Sequence, residues 1–317
     1  MIMTFNVVSY EPIKKSEWDN FVASAKNGHF MFYRDYMDYH AYRFVDHSLM
    51  FYDEKERLIA VLPANIKAGV LYSHQGLTFG GLLLNNKATT EMVYELFLCT
   101  IEFLKEKGDI DSIIYKRMPD FYNAYPAQED LYSLFLLDAK LFRRDVSVAI
   151  DMVKPYSYQE MRKRKVKKAR KTGLEFFEES CFKEYWELLS EVLSTQHDTN
   201  PVHSLEEIEL LQSKFPNNIK CYTARLNGEL LAGTVIYQTE LVAHTQYLAN
   251  SVKGRELGAL DLVIDHLIKN VYKDKKYFDF GISTEDNGRT LNKGLIAQKE
   301  GFGARAFVHD FYEINIT

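Results

Sequence analysis

Apolar and polar positions run through the same order twice in this chain. Around Leu49–Ala64 two apolar runs flank the polar turn DEKER, and at Cys221–Tyr237 the segment CYTARLNGELLAGTVIY repeats that pattern. Both read as β-hairpins. In the second, Asn227-Gly228 sits between alternating apolar residues and supplies the positive φ that a two-residue turn needs at both positions. Each hairpin is followed by a strand (VLYSHQGLTF, then VAHTQYLAN), a turn, an amphipathic helix (Glu91–Lys107, then Ala259–Lys273) and another strand (DIDSIIYKR, then YFDFGIS). Self-similarity at a shift of roughly 170 residues marks a duplicated unit. The order predicts an α/β (α+β) fold of two domains, each a mixed, mostly antiparallel sheet flanked by helices, rather than a doubly wound parallel sheet. The boundary is placed near Lys154-Pro155, giving domains 1–153 and 154–317.

The connecting segments carry helix signals. Ser16-x-x-Asp19 reads as the cap of a first helix, Ser157-x-x-Glu160 as the cap of a second, and Ser204-x-x-Glu207 as the cap of one that ends before Pro216. The aromatic stretch FMFYRDYMDYHAYRF reads as core beneath the first hairpin, and Phe182–Ser194 as a helix. The segment QHDTNPVHSLEEIELLQSKFP has no counterpart in the first half, so its loop, bearing His197, Asp198, Asn200 and His203, is a place for substrate recognition.

Composition narrows the class. With 46% apolar residues, 21 Phe and 21 Tyr in 317 residues, the chain can bury two cores and is not disordered. The N-terminal MIMTFNVVSYEPIKKSEW lacks a secretory pattern, and no apolar run is long enough to cross a bilayer. Three scattered cysteines, Cys99, Cys181 and Cys221, make neither a disulfide framework nor a zinc site, so no metal is expected and a reducing, cytoplasmic setting is. Net charge is −5, yet Arg162–Lys171 (RKRKVKKARK) holds eight of the 39 basic residues. A solvated helix face is the plain reading of that run. The functional one is a surface for phosphates, tRNA or an acidic membrane.

Chemistry concentrates late in the chain. Gly254, Arg255, Gly258 and Ala259 form a strand-to-helix turn whose glycines, amides and arginine suit a pyrophosphate. The preceding strand is polar where a central strand is usually Val/Ile-rich: His244, Gln246 and Leu248 are placed on one face, Thr245, Tyr247 and Ala249 on the other. The order of elements resembles the Gcn5-related N-acetyltransferase fold, and the duplicated whole resembles the FemAB-like branch of that superfamily. Arg255-x-x-Gly258 fits the branch's Arg/Gln-x-x-Gly-x-Gly/Ala turn, although Leu260 stands at the last small position; Asp279-Phe280-Gly281 and Lys299-x-x-Phe302-Gly303 fit its closing pattern.

The resemblance implies tandem acyl-CoA N-acyltransferase-like domains. Acetyl-CoA or another acyl-CoA would be the donor, held along Tyr247, Leu248 and Asn250 and at the Gly254–Ala259 turn. His244, Asp279 and Lys299 are the catalytic candidates, the first two as base and the third as oxyanion or phosphate partner. His197, His203, Gln246, Ser283 and Asn287 complete the substrate set, for an amine such as an amino sugar or nucleotide-linked sugar of cell-envelope metabolism. Gly80-Gly81 is followed by no basic helix start, so the first domain is expected to lack a donor site of its own and to shape the acceptor cleft. The enzymatic alternative is aminoacyl transfer from charged tRNA, for which the basic run speaks; the non-enzymatic alternative is a binding module on the same fold. The long helical-hairpin insertion of the tRNA-using enzymes is not seen, which favours acyl-CoA.

Overall fold

The computed structural model describes residues 5–316, except the side chains of residues 196 and 197. Contacts divide the chain into two units: Met1–Asp145 with Asp286–Arg289 and Val308–Thr317, and Val146–Glu285 with Thr290–Phe307. The division falls inside the strand Lys140–Asp151, whereas the sequence places it after that strand at residue 153.

In the first unit, Leu49–Tyr52 and Leu58–Leu62 form the expected hairpin, with Asn6–Ser9 and Leu83–Leu84 on its edges, all antiparallel. A second group runs Val45–Asp46, Asn65–Lys67, Val70–Tyr72, and the last of these pairs in parallel with Ser112–Lys116. Phe311–Asn315 then pairs antiparallel with Ser112–Lys116. Helix Thr90–Lys107 is held at its start by Thr89, whose side chain accepts from the Met92 amide, and at its end by left-handed Gly108. Its buried Val93, Leu96, Phe97 and Leu104 recur at helical spacing and close a core with Leu49, Phe51, Ile113, Tyr115 and Ile314. Each such large apolar side chain contributes about 1.5–3 kcal/mol on burial.

The second unit repeats the plan. Glu175–Glu179, Ile219–Leu226, Glu229–Gln238 and Val242–Asn250 follow one another antiparallel, and the last pairs in parallel with Tyr277–Ile282. Asn227 and Gly228 take φ of 52° and 84°, as a two-residue hairpin turn requires. Helix Ala259–His266, extended by a π turn at Leu267–Val271 where the sequence continues it to Lys273, lays Val263, Ile264, Leu267 and Ile268 against Tyr222, Ala232 and Phe278.

Two of the three predicted caps are not made. The first helix starts at Lys15 behind Lys14, and the basic helix, Glu160–Ala169, starts behind Gln159; neither has a side-chain cap bond. Ser16 already lies inside the first helix and Ser157 lies two residues ahead of the second's cap position. Ser204 and Glu207 do form a reciprocal capping box before Leu205–Lys214. The aromatic stretch buries Phe30, Met31, Phe32 and Tyr36, while Tyr42 stays exposed. Among the described residues no helix is long and apolar enough to cross a membrane.

Candidate active site

The parallel contact in the second unit is short. Val242, Ala243 and His244 face Tyr277, Phe278 and Asp279, and beyond that point the two strands carry no further pairing. The strand with His244 is also bulged: Thr245 faces Ile236 and Tyr247 faces Val235, so Gln246 is the extra residue. The bulge interrupts the face alternation read from the sequence across His244–Asn250. A strand that leaves its neighbour exposes backbone donors and acceptors that a ladder would otherwise consume. Three side chains on it also carry buried oxygens without a hydrogen-bond partner: Thr245 Oγ1, Gln246 Oε1 and Asn250 Oδ1. Buried polar atoms are ordinarily paired, so these three oxygens mark this strand as unusual within its sheet.

At the vertex of the splay, His244 Nδ1 lies 2.7 Å from Asp279 Oδ2. Asp279 is fully buried and its other oxygen accepts from Ser147 Oγ at 2.9 Å and from the Gly281 amide at 3.0 Å. With Oδ1 held by two donors, Oδ2 is left to accept from Nδ1–H, which makes Nε2 of His244 the free, basic nitrogen. Gly281 has φ of +73°, and a Cβ there would come within 3.1 Å of His244 Cε1. Only glycine lets the chain turn in the left-handed region with the imidazole this close.

Lys299 sits behind the same turn. It is buried, and its Nζ donates to the carbonyls of Gly281 (2.9 Å) and Ile282 (2.6 Å). Burial pulls its pKa down to about 8, opposed by the charge of Asp279. Two of its three N–H groups therefore hold the strand end, and one remains. Ser283 follows, buried, with Oγ unpartnered and its amide donating to Val146 O at 2.7 Å. His244, Asp279, Lys299 and Ser283 are thus gathered around one three-residue turn, with Gln246 and Asn250 on the departing strand.

The remaining sequence candidates are placed elsewhere. His203 is buried and its Nδ1 meets Tyr247 Oη at 2.5 Å, with Trp186 edge-on to the same ring; burial raises the Tyr247 pKa to about 12. Asn287 belongs to the first unit, where its side chain accepts from Arg143 at 3.1 Å. The side chain of His197 lies outside the described residues. Leu248 packs against the core of the second unit.

At the glycine turn, Ser251 caps a short helix, Val252–Leu257: its side chain accepts from the Gly254 amide (2.9 Å) and its carbonyl from the Arg255 amide (2.9 Å), while the Gly258 amide donates to Gly254 O. Those three donors are therefore engaged within the turn. Gly254 is small because Asn250 Oδ1 and Leu231 O approach to 2.4 Å of its Cβ position, and Gly258 (φ +77°) because Lys165 O lies 3.0 Å from its own. What faces outward is the exposed Arg255 guanidinium, which donates to Asn250 O at 3.2 Å. The first turn of Ala259–His266 also holds buried Asp261, paired with Arg162 of the basic helix at 2.5 Å.

One member of this arrangement was not read from the sequence: Ser147, which serves Asp279 from 132 residues away. Gly281, read there only as part of the Asp-Phe-Gly pattern, serves the same carboxylate through its amide. The only local trace of Ser147 is a hydroxyl inside the apolar strand DVSVAIDM.

Residues 158–287 match the family model described as Acetyltransferase (GNAT) domain. No curated protein matches the chain by sequence. Among solved structures, the crystal structure of FemX superposes with a TM-score of 0.68 at 12% identity, covering 98% of this chain and 97% of that one. L-PGS from Bacillus licheniformis gives 0.60 at 11% identity over 98% and 93%. A tandem GNAT protein from the clavulanic acid biosynthesis pathway gives 0.53 at 11% identity over 99% of both chains. Residues 158–287 thus carry a GNAT acetyltransferase domain by sequence, and the chain shares the tandem acyltransferase fold of FemX and the tandem GNAT protein along nearly its whole length.

Proposed function

We propose that the chain is an N-acyltransferase moving an acyl group, acetyl in the simplest case, from acyl-CoA to an amine. The observation that carries this reading is the splay between the strands of His244 and Asp279, with a hydrogen-bonded imidazole and carboxylate at its vertex. In this reading the pantetheine arm lies along the departing strand beside Tyr247, Leu248 and Asn250, where Thr245, Gln246 and Asn250 offer unpaired oxygens. The pyrophosphate meets the Arg255 side chain and the amides that open Ala259–His266.

The chemistry needs a neutral amine. Freeing a lysine-like ammonium at neutral pH costs about 4 kcal/mol, which a positioned base offsets. His244 Nε2 takes the proton while Asp279 holds Nδ1–H and steadies the imidazolium. The amine nitrogen bonds to the thioester carbonyl carbon, the C–S bond breaks, and CoA leaves as its thiolate or thiol. The remaining Lys299 N–H is the group within this cluster suited to the developing oxyanion. The FemAB-like architecture supports an acceptor of cell-envelope or surface-polysaccharide metabolism, such as an amino sugar or nucleotide-linked sugar, reached in the cytoplasm.

Calorimetry with acetyl-CoA, followed by release of free CoA over a panel of amino sugars and other amines, tests the reading; a chain that shows no affinity for acetyl-CoA overturns it. Arg255→Glu should weaken CoA binding by at least fivefold. A second reading, aminoacyl transfer from charged tRNA, is favoured by the exposed Lys163, Arg164, Lys167, Lys168 and Lys171 of the basic helix and its end. It requires tRNA binding that falls steeply with salt and is lost on charge reversal at Lys167, Lys168 and Lys171.

A further inference from the structure

The first unit repeats the short parallel contact: Val70, Leu71 and Tyr72 face Ser112, Ile113 and Ile114, and then those strands also part. Here the gap is bridged. Ser73 donates its amide to Ile114 O (3.0 Å), and its Oγ accepts from the Lys116 amide (2.7 Å). The loop that follows is fixed tightly, because a Cβ on Gly76 would strike His40 Nε2 at 2.2 Å and one on Gly80 would strike Ser73 O at 1.7 Å. What remains is a cavity of about 320 Å³ lined by Tyr72, His74, Lys116, Arg143, Asn287 and Phe311 among others. That volume is in the range of small-molecule sites and too small for a whole CoA.

The charged groups in its wall, Lys116 and Arg143, share a sign. Lys116 Nζ donates to the carbonyls of His74 (3.1 Å) and Leu77, and among the described residues no carboxylate lies within ion-pair distance of it. An ammonium has three donors, so one is left. The side chain is packed about by protein yet keeps accessible surface, and the cavity is where that surface lies. Arg143, the second cation, stacks over Phe311 at 4.5 Å and is neutralised by Asp145 at 2.8 Å. His74 is buried, sits at φ +71° and carries an Nδ1 with no hydrogen-bond partner. A cation desolvated without a counter-charge is costly, and a second unsatisfied buried atom adds to the cost. Burial brings the Lys116 pKa down to about 7, helped by the charge of Arg143 and opposed by the more weakly acting Asp145. The flat walls are supplied by Tyr72, Phe142 and Phe311.

We infer that this cavity is a second ligand site, specific for a small anion, a carboxylate or a phosphate monoester carried on a flat or apolar body, with Lys116 as the charge partner and Phe311 and Tyr72 as walls. It is independent of the donor site proposed for the second unit. The sequence offered no basic residue at the helix start after Gly80-Gly81; the strand Ser112–Lys116 supplies the cation instead.

Titration calorimetry of the full chain with benzoate, phenyl phosphate and the neutral benzamide tests this. At least one anion should bind saturably, at least tenfold more tightly than benzamide, and whichever anion binds more tightly identifies the headgroup. Lys116→Met should lower anion affinity tenfold or more with thermal unfolding no lower than the parent's. Arg143→Gln and Phe311→Leu should each weaken binding by threefold or more, and they carry the test if Lys116→Met fails to fold. Absence of saturable anion binding, equal binding of benzamide, or unchanged anion affinity in folded Lys116→Met overturns the inference.

Discussion

A single turn decides what His244 can do. Asp279-Phe280-Gly281 places a carboxylate whose one oxygen is saturated by Ser147 and the Gly281 amide, so that the other is left for the imidazole. Asp279→Asn preserves the shape but removes the charge that fixes the tautomer, and His244→Asn removes the base proposed above. Each should reduce kcat/KM for acyl transfer by about 10²–10⁴-fold, measured as CoA release. Gly281→Ala is a sharper test of the seat. An L-residue at φ +73° costs about 1–2 kcal/mol, read as a lower denaturation midpoint, and its methyl displaces the ring, so turnover should fall further than stability explains. His244 and Asp279 were legible in the sequence because polar residues interrupt strands that would otherwise be apolar. Ser147 was not, since nothing local ties it to a residue 132 positions away.

At the scale of elements, the basic helix is two things at once. Arg162, Val166 and Ala169 face inward while Lys163, Arg164, Lys167 and Lys168 face out. Arg162 and Asp261 are each about 5% exposed and bonded at 2.5 Å, so Arg162→Met leaves a buried carboxylate alone and should cost about 3–5 kcal/mol in chemical denaturation. The double variant Arg162→Met with Asp261→Leu should recover most of that loss. Sequence periodicity found this helix, the hairpins and the paired long helices, since each carries its own signal. It placed two caps wrongly, because Ser16 and Ser157 satisfy the capping pattern without standing at the first non-helical residue. The internal pairing of the glycine-turn amides was equally hidden, because it depends on Ser251 starting a separate short helix.

For the molecule as a whole, desolvated histidines of the first unit make stability depend on acid. Burial lowers the His74 pKa from its usual value to about 3, with nearby cations adding to the effect. Between pH 6.5 and 3 the unfolded chain therefore holds a proton at this residue that the folded unit refuses, so stability is full above pH 6.5 and declines as pH falls, by about 1.4 kcal/mol per unit. His47, also lowered by burial, acts in the same direction. His74→Asn, which tolerates φ +71°, should flatten this slope between pH 6.5 and 4.5, where few carboxylates titrate. Equal slopes for parent and variant would mean that His74 is protonated in the folded unit.

The strand Arg305–Asn315 starts in the second unit, but Val308 onward belongs to the first, where Ile314 and Ile316 are fully buried and Phe311–Asn315 pairs with Ser112–Lys116. During synthesis, the half that leaves the ribosome first must therefore wait, with one edge of Ser112–Lys116 bare, until residue 316 has emerged. Unpaired edges of that kind invite strand capture by other chains. Removal of residues 308–317 should therefore promote aggregation, read as light scattering against the parent chain.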